Sequence, residues 1–194
     1  MNILITLLIA HLFADFPLQT NSLAKLKEQH WQGVAIHVLI HVVVTALLIR
    51  DSLAFWPLLL GIGVAHFIID LSKLLSPGKK GIAYFLIDQM LHVTTLVVAA
   101  YLVQQEWQAT PHSILPQAWL LPILSGACVP ALMVLLWIWT NSLSQESLAQ
   151  STILYWTKHQ ILSIEQRIGI VLFLLVCLQP SLYSFVNVIE RTWP

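Results

Sequence analysis

An all-α, polytopic membrane protein is the fold class this sequence predicts, and three observations predict it. Of 194 residues, 58% are hydrophobic and only 9% are charged, whereas a water-facing domain carries roughly 25% charged residues. The mean hydropathy is +0.80. The apolar residues gather into six segments, approximately 2–18, 34–49, 53–75, 82–104, 117–140 and 168–189, with most of the charge in the links between them. A helix needs about 20 predominantly apolar residues to cross a bilayer core, so about six transmembrane helices are expected. They form one domain, 1–194, in which 1–105 is the candidate metal-site core and 106–194 adds two helices and a surface segment. Nine basic residues balance nine acidic ones, so net charge gives no reason to expect nucleic acid. Membrane lipid is the expected partner, and association into a homo-oligomer stays open.

The first segment, "MNILITLLIAHLFADFPLQ", lacks a basic leader and a small-residue cleavage site, so it is read as a retained helix rather than a signal peptide. "QTNSLAKLKEQHW" at 19–31 is polar and helix-permissive, which predicts a short helix on the membrane surface. "SPGKKG" at 76–81 is a tight turn, broken by Pro and Gly. Residues 141–166 are expected to form an amphipathic surface helix around "STILYWTKHQIL". Cys128 and Cys177 lie inside apolar segments and are read as buried small residues. Trp56, Trp107, Trp119, Trp137, Trp139 and Trp193 lie near segment ends, as interfacial anchors do. Lys25, Lys27, Lys73, Lys79, Lys80, Lys158 and Arg167 fall in or beside the first, third and fifth links, against Arg50 and Arg191 elsewhere. That bias puts the odd links in the cytoplasm and both termini outside, in a bacterial inner membrane.

Three aspartates interrupt the apolar segments, and each has a histidine four residues away: His11/Asp15, His66/Asp70 and Asp88/His92. The second segment adds His37/His41 at the same spacing. Residues four apart stack on one helix face, about 6 Å apart along the axis. The pairs in the first and third segments come late in them, and those in the second and fourth come early, so connectivity alone puts all four pairs at one end of the bundle. The pairs also expose a repeat. "HLFADF" answers to "HFIIDL" at an offset of 55, and "HVLIH" answers to "DQMLH" at 51. The first four helices are therefore read as two repeated helical hairpins with a His/Asp-lined interior, related by a pseudo-two-fold axis along the membrane normal.

An ionised carboxylate in hydrocarbon costs several kcal/mol unless it is paired or ligated. Imidazole and carboxylate are ordinary ligands of zinc, manganese and iron, and helical bundles build two-metal sites from such inward-facing positions. His11, Asp15, His37, His41, His66, Asp70, Asp88 and His92 are more ligands than one tetrahedral ion uses. Two divalent ions are therefore expected, with zinc the first choice. A single His–Asp pair is better read as a hydrogen bond that packs helices, and Asp70 has a second ordinary partner in Lys73, one turn on. Gln19, one turn past Asp15, either caps a helix end or reaches the site or substrate. Gln89 adjoins Asp88 but points elsewhere on the helix and is left out. His30, His112 and His159, with Glu28, Glu106, Glu146, Glu165 and Glu190, are expected to be solvated.

"AHLFADFPLQTNSLAKLK", "HVLIHVVVTAL", "HFIIDLSK" and "FLIDQMLH" resemble a family of small bacterial integral membrane proteins known as a domain of unknown function, whose members open with His-x-x-x-Asp-Phe-x-Leu-Gln. The resemblance covers about residues 8–95 and implies no activity. The His/Asp placement is more loosely similar to the membrane-bound metal-dependent hydrolases. That analogy implies hydrolysis of a lipid or amphiphile, with a phosphoester in view, at the cytoplasmic leaflet. Metal-activated water would be the nucleophile, and Asp15, Asp70 and Asp88 would bridge metals or act as general base. Lys25, Lys27, Lys79 and Lys80 would attract anionic head groups. A divalent metal transporter or sensor, a haem protein using two of the histidines, and a purely structural membrane partner are the rival readings.

Overall fold

The computed structural model describes residues 2–75, 81–106 and 111–192, and the side chains among them except at 106 and 180–192. The elements are α1 (Asn2–Asp15), α2 (Asn21–Gln29), α3 (Trp31–Leu48), a 3-10 turn (Ser52–Phe55), α4 (Trp56–Leu74), α5 (Ile82–Glu106), α6 (Gln117–Asn141), α7 (Gln145–Ala149) and α8 (Thr152–Thr192). The fold is all-α, and no strand occurs among the described residues. Five stretches are long and apolar enough to cross a membrane: Trp31–Leu48, Ser52–Leu74, Ile82–Gln105, Gln117–Asn141 and Thr152–Gln179. Residues 76–80 of the turn expected at 76–81, with Lys79 and Lys80, lie outside the described residues, as do Trp107 and Trp193.

Burial follows helical periodicity. In α3, Val34, His37, His41, Val44, Thr45 and Leu48 face inward, while Ile36, Leu39, Val43 and Leu47 face outward. In α4, Leu58, Leu59, Ile62, His66 and Asp70 are buried, and Leu60, Val64 and Ile68 are exposed. An apolar outer stripe is what a lipid-facing helix requires, since lipid gives no reason to hide it. α1 differs, with both faces buried, as in a helix at the centre of a bundle. One face joins Ile9 and Phe13 to Val44, Leu120 and Val176. The other joins Ile3 and Leu7 to Leu58, Ile62 and Leu96.

Two expectations are corrected. The first segment, expected over 2–18, is helical only to Asp15, because Pro17 has no N–H with which to continue the ladder. The chain winds through a turn in which Leu18 N–H donates to the Phe13 carbonyl at 3.1 Å. At 14 residues, α1 is about 21 Å long and sits inside the bundle rather than among the full-length spans. The surface helix expected within 141–166 and the span expected at 168–189 are one continuous helix, α8. No proline falls between Ser151 and Pro180 to break it.

α1, α3, α4 and α5 form a closed ring, each packed on the next and α5 on α1. This is the arrangement that two repeated hairpins, α1–α3 and α4–α5, would make. α2 lies across α3 and α4 at the end where α1 stops. Gly33 permits that approach, because a Cβ there would run into the backbone of Leu26 and Lys27. α6 and α8 pack on each other and on the outer side of α1. Gly169 of α8 sits against Pro17 and Pro130, where a Cβ would collide with the Pro17 ring.

Candidate metal centre

Asp15 is the hub of the site. It is the last residue of α1, and groups from all four ring helices reach it. Its Oδ1 lies 3.0 Å from His37 Nε2, 2.9 Å from His41 Nε2 and 3.8 Å from His66 Nε2. Its Oδ2 accepts from Gln89 Nε2 at 3.1 Å and lies 3.6 Å from His11 Nε2. The side chains of His11, His37, His41, His66, Asp15 and Asp70 are all under 10% exposed.

The hydrogen bonds around Asp15 Oδ1 cannot all be good at once. His37 Nε2 and His41 Nε2 stand 3.2 Å apart while both contact that oxygen. A neutral imidazole carries one N–H. If both Nε2 atoms donate to Asp15, two N–H groups face each other. If one keeps a lone pair there, that lone pair faces another nitrogen or the carboxylate. A cation at the junction removes the conflict, because all three lone pairs can point at it. Four donors about 2.1 Å from one ion stand about 3.4 Å apart at tetrahedral corners. The Asp15, His37, His41 and His66 donor atoms all lie within 4.8 Å of one another.

A second donor group, His66, Asp70 and His92, shares the 4.8 Å limit. His66 Nε2 is 3.5 Å from Asp70 Oδ2, and His92 Nε2 is 3.7 Å from Asp70 Oδ1 and 3.4 Å from Asp88 Oδ1. Two lysines enter here. Lys27 Nζ pairs with Asp70 Oδ2 at 3.1 Å. Lys73 Nζ pairs with Asp70 Oδ1 and, at 2.8 Å, with Asp88 Oδ1.

The imidazole rings form one packed cluster. The His41 and His66 ring centroids are 3.8 Å apart, those of His66 and His92 are 4.0 Å apart, and the His11 ring lies 5.3 Å from both His41 and His92. The buried Nε2 atoms of His11, His66 and His92 have no hydrogen-bond partner. Buried polar atoms are rarely left so. A cavity of ≈ 10 Å³ lies against His11, His41, His66 and His92, space for about one water molecule. These buried His/Asp clusters could hold a metal ion.

All eight residues singled out from the four pairs therefore meet. Three other expectations are corrected. Gln89 points into the site and bridges Asp15 Oδ2 and, at 3.4 Å, Asp88 Oδ2. Lys27 does not stand free for head groups but reaches Asp70. Glu165 is not solvated; it is 2% exposed. Lys25 is exposed, as are His30, His112 and His159. The Gln19 side-chain oxygen is buried and has no hydrogen-bond partner, neither capping a helix nor bonding to a site residue. Cys128 and Cys177 are free and half-buried.

A family described as "Protein of unknown function (DUF3307)" matches residues 3–121, which contain the whole four-helix ring. No curated protein and no solved structure matches the chain.

Proposed function

The chain belongs to the DUF3307 family, whose description assigns no activity, and from the geometry of the site we propose a membrane-embedded, metal-dependent hydrolase. Its substrate is a lipid or amphiphile, with a phosphoester as the scissile group, reached from the cytoplasmic leaflet of a bacterial inner membrane. The observation that carries this reading is the junction at Asp15 Oδ1, where two imidazole nitrogens only 3.2 Å apart meet one carboxylate oxygen at 2.9 and 3.0 Å. Nitrogen and carboxylate donors at tetrahedral spacing favour zinc, with manganese or iron as the alternatives.

When bound, a divalent ion supplies Lewis acidity: it polarises the scissile group and makes water acidic enough to attack near neutral pH. The protein's own residues do the rest. Asp15, His37, His41 and His66 would hold the ion with water as a further ligand, and Gln89 fixes the Asp15 carboxylate by donating to its Oδ2. Asp88 is the general base. Its side chain is 12% exposed, against 6% for Asp15 and 0% for Asp70, so it stands nearest the open side. Lys27 and Lys73 neutralise the Asp70 and Asp88 carboxylates beside the ion. The excess of Lys and Arg in the odd links supports a cytoplasmic orientation of this end.

The test is hydrolysis by zinc-loaded protein in detergent micelles containing a phosphoester lipid. Turnover that disappears in Asp15→Ala and falls strongly in Asp88→Asn is expected. No turnover by protein that does hold the ion, with uptake of that ion into proteoliposomes, would replace the hydrolase with a transporter.

A further inference from the structure

The two hairpins repeat with differences, and the differences bear on how many ions the cluster takes. At an offset of 55, His11 and Asp15 correspond to His66 and Asp70; at 51, His37 and His41 correspond to Asp88 and His92. So Asp15 faces two imidazoles, whereas Asp70 faces an imidazole and a second carboxylate. At the same offset of 55, Leu18 corresponds to Lys73. The half that gained a carboxylate thus also carries an ammonium group.

That ammonium group lies between the two carboxylates. Lys73 Nζ pairs with Asp70 Oδ1 and Asp88 Oδ1, and Lys27 Nζ pairs with Asp70 Oδ2 at 3.1 Å. Both Asp70 oxygens are taken by cations that the chain itself supplies. His66 is also divided. Its Nε2 is 3.8 Å from Asp15 Oδ1 and 3.5 Å from Asp70 Oδ2, and one imidazole nitrogen has a single lone pair to give to one ion.

Charge points the same way. Three carboxylates and two ammonium groups leave one net negative charge beside neutral imidazoles. One divalent ion turns this to a single positive charge, but two ions would leave three positive charges in a site buried from water. Excess buried charge of one sign is costly.

Building on the metal-site reading above, we propose that the cluster holds one divalent ion, at Asp15, His37, His41 and His66, and that Lys27 and Lys73 hold the place of a second ion beside Asp70, Asp88 and His92. This replaces the two ions expected from the ligand count. The lysines then set the stoichiometry of the site, and its second half is a charge-balanced cluster of two carboxylates and two ammonium groups.

The experiment is metal content by elemental analysis of protein purified in detergent, loaded with excess zinc and desalted. Wild type is expected to hold one zinc per chain. The double variant Lys27→Met/Lys73→Met, which frees Asp70 and Asp88, is expected to hold two, and Lys27→Arg/Lys73→Arg to hold one. If the double methionine variant does not fold, Lys73→Met alone carries the test, with more than one zinc expected. Two zinc ions in wild type would overturn this inference and leave the metal site standing. None in wild type would overturn the metal site itself. A methionine variant that folds and still holds one would show that the lysines do not exclude the second ion.

Discussion

The four-helix ring and the α6–α8 pair are made from the same kind of apolar helix, and both bury polar atoms without a hydrogen-bond partner, yet they surround a buried carboxylate differently. In the ring, buried carboxylates have several partners each, drawn from neighbouring helices. In the pair, the Oε1 atoms of Glu165 and Gln179 are buried without a hydrogen-bond partner. The space between α6, α8 and Phe13 is an apolar cavity of ≈ 220 Å³ lined by side chains such as Trp119, Leu172 and Val176. Polar content alone therefore does not make a site. What distinguishes the ring is convergence, in which each charge is satisfied from several helices, and the family match at 3–121 ends soon after α6 begins.

If the ring is a charge-balanced unit, its charges should be costly to remove one at a time. Asp70→Ala strips Lys27 and Lys73 of their shared partner. It is expected to lower stability by about 3–5 kcal/mol, as breaking a buried ion pair does, read as thermal unfolding in detergent. Gln89→Ala leaves every ligand in place but frees the Asp15 carboxylate to turn. Metal affinity should fall roughly 10–100-fold, as when an outer partner of a ligand is lost, measured by competition with a chelator. Gly33→Ala forces α2 away from α3 and Lys27 away from Asp70. It should cost about 1–3 kcal/mol, typical of overpacking, with metal content retained. Glu165→Gln tests the other side of the comparison. Removing a charge from the α6–α8 pair should leave metal content at the wild-type value, and a loss there would erase the distinction between the two regions.

The centre of the site was legible because helical geometry is rigid. A His–Asp or His–His spacing of four fixes a shared face, and alternating helix direction fixes a shared depth, so His11, His37, His41, His66 and the three aspartates could be brought together without coordinates. Its edges were less legible because they depend on packing. Gln89 is one residue from Asp88 and so turned about 100° from it on the helix, which on α5 alone points away. It reaches Asp15 because α1 closes the ring by packing on α5. Lys27 reads as a surface lysine on a polar helix, and only the close approach allowed by Gly33 carries it to Asp70. The end of α1 and the start of α8 escape hydropathy for a common reason. Hydropathy reports which residues suit lipid, whereas helix ends are set by backbone breaks: Pro17 ended one apolar run early, and the absence of such a break joined a polar stretch to the last span.

The central claim is that the buried His/Asp cluster around Asp15 is a metal site. The most direct test is metal per chain, by elemental analysis, in detergent-purified wild type beside Asp15→Ala and His112→Ala. The account predicts bound divalent metal in wild type, loss of that metal in Asp15→Ala and full retention in His112→Ala. A wild-type protein that holds no metal after growth in metal-supplemented medium, or equal losses in both variants, would contradict it.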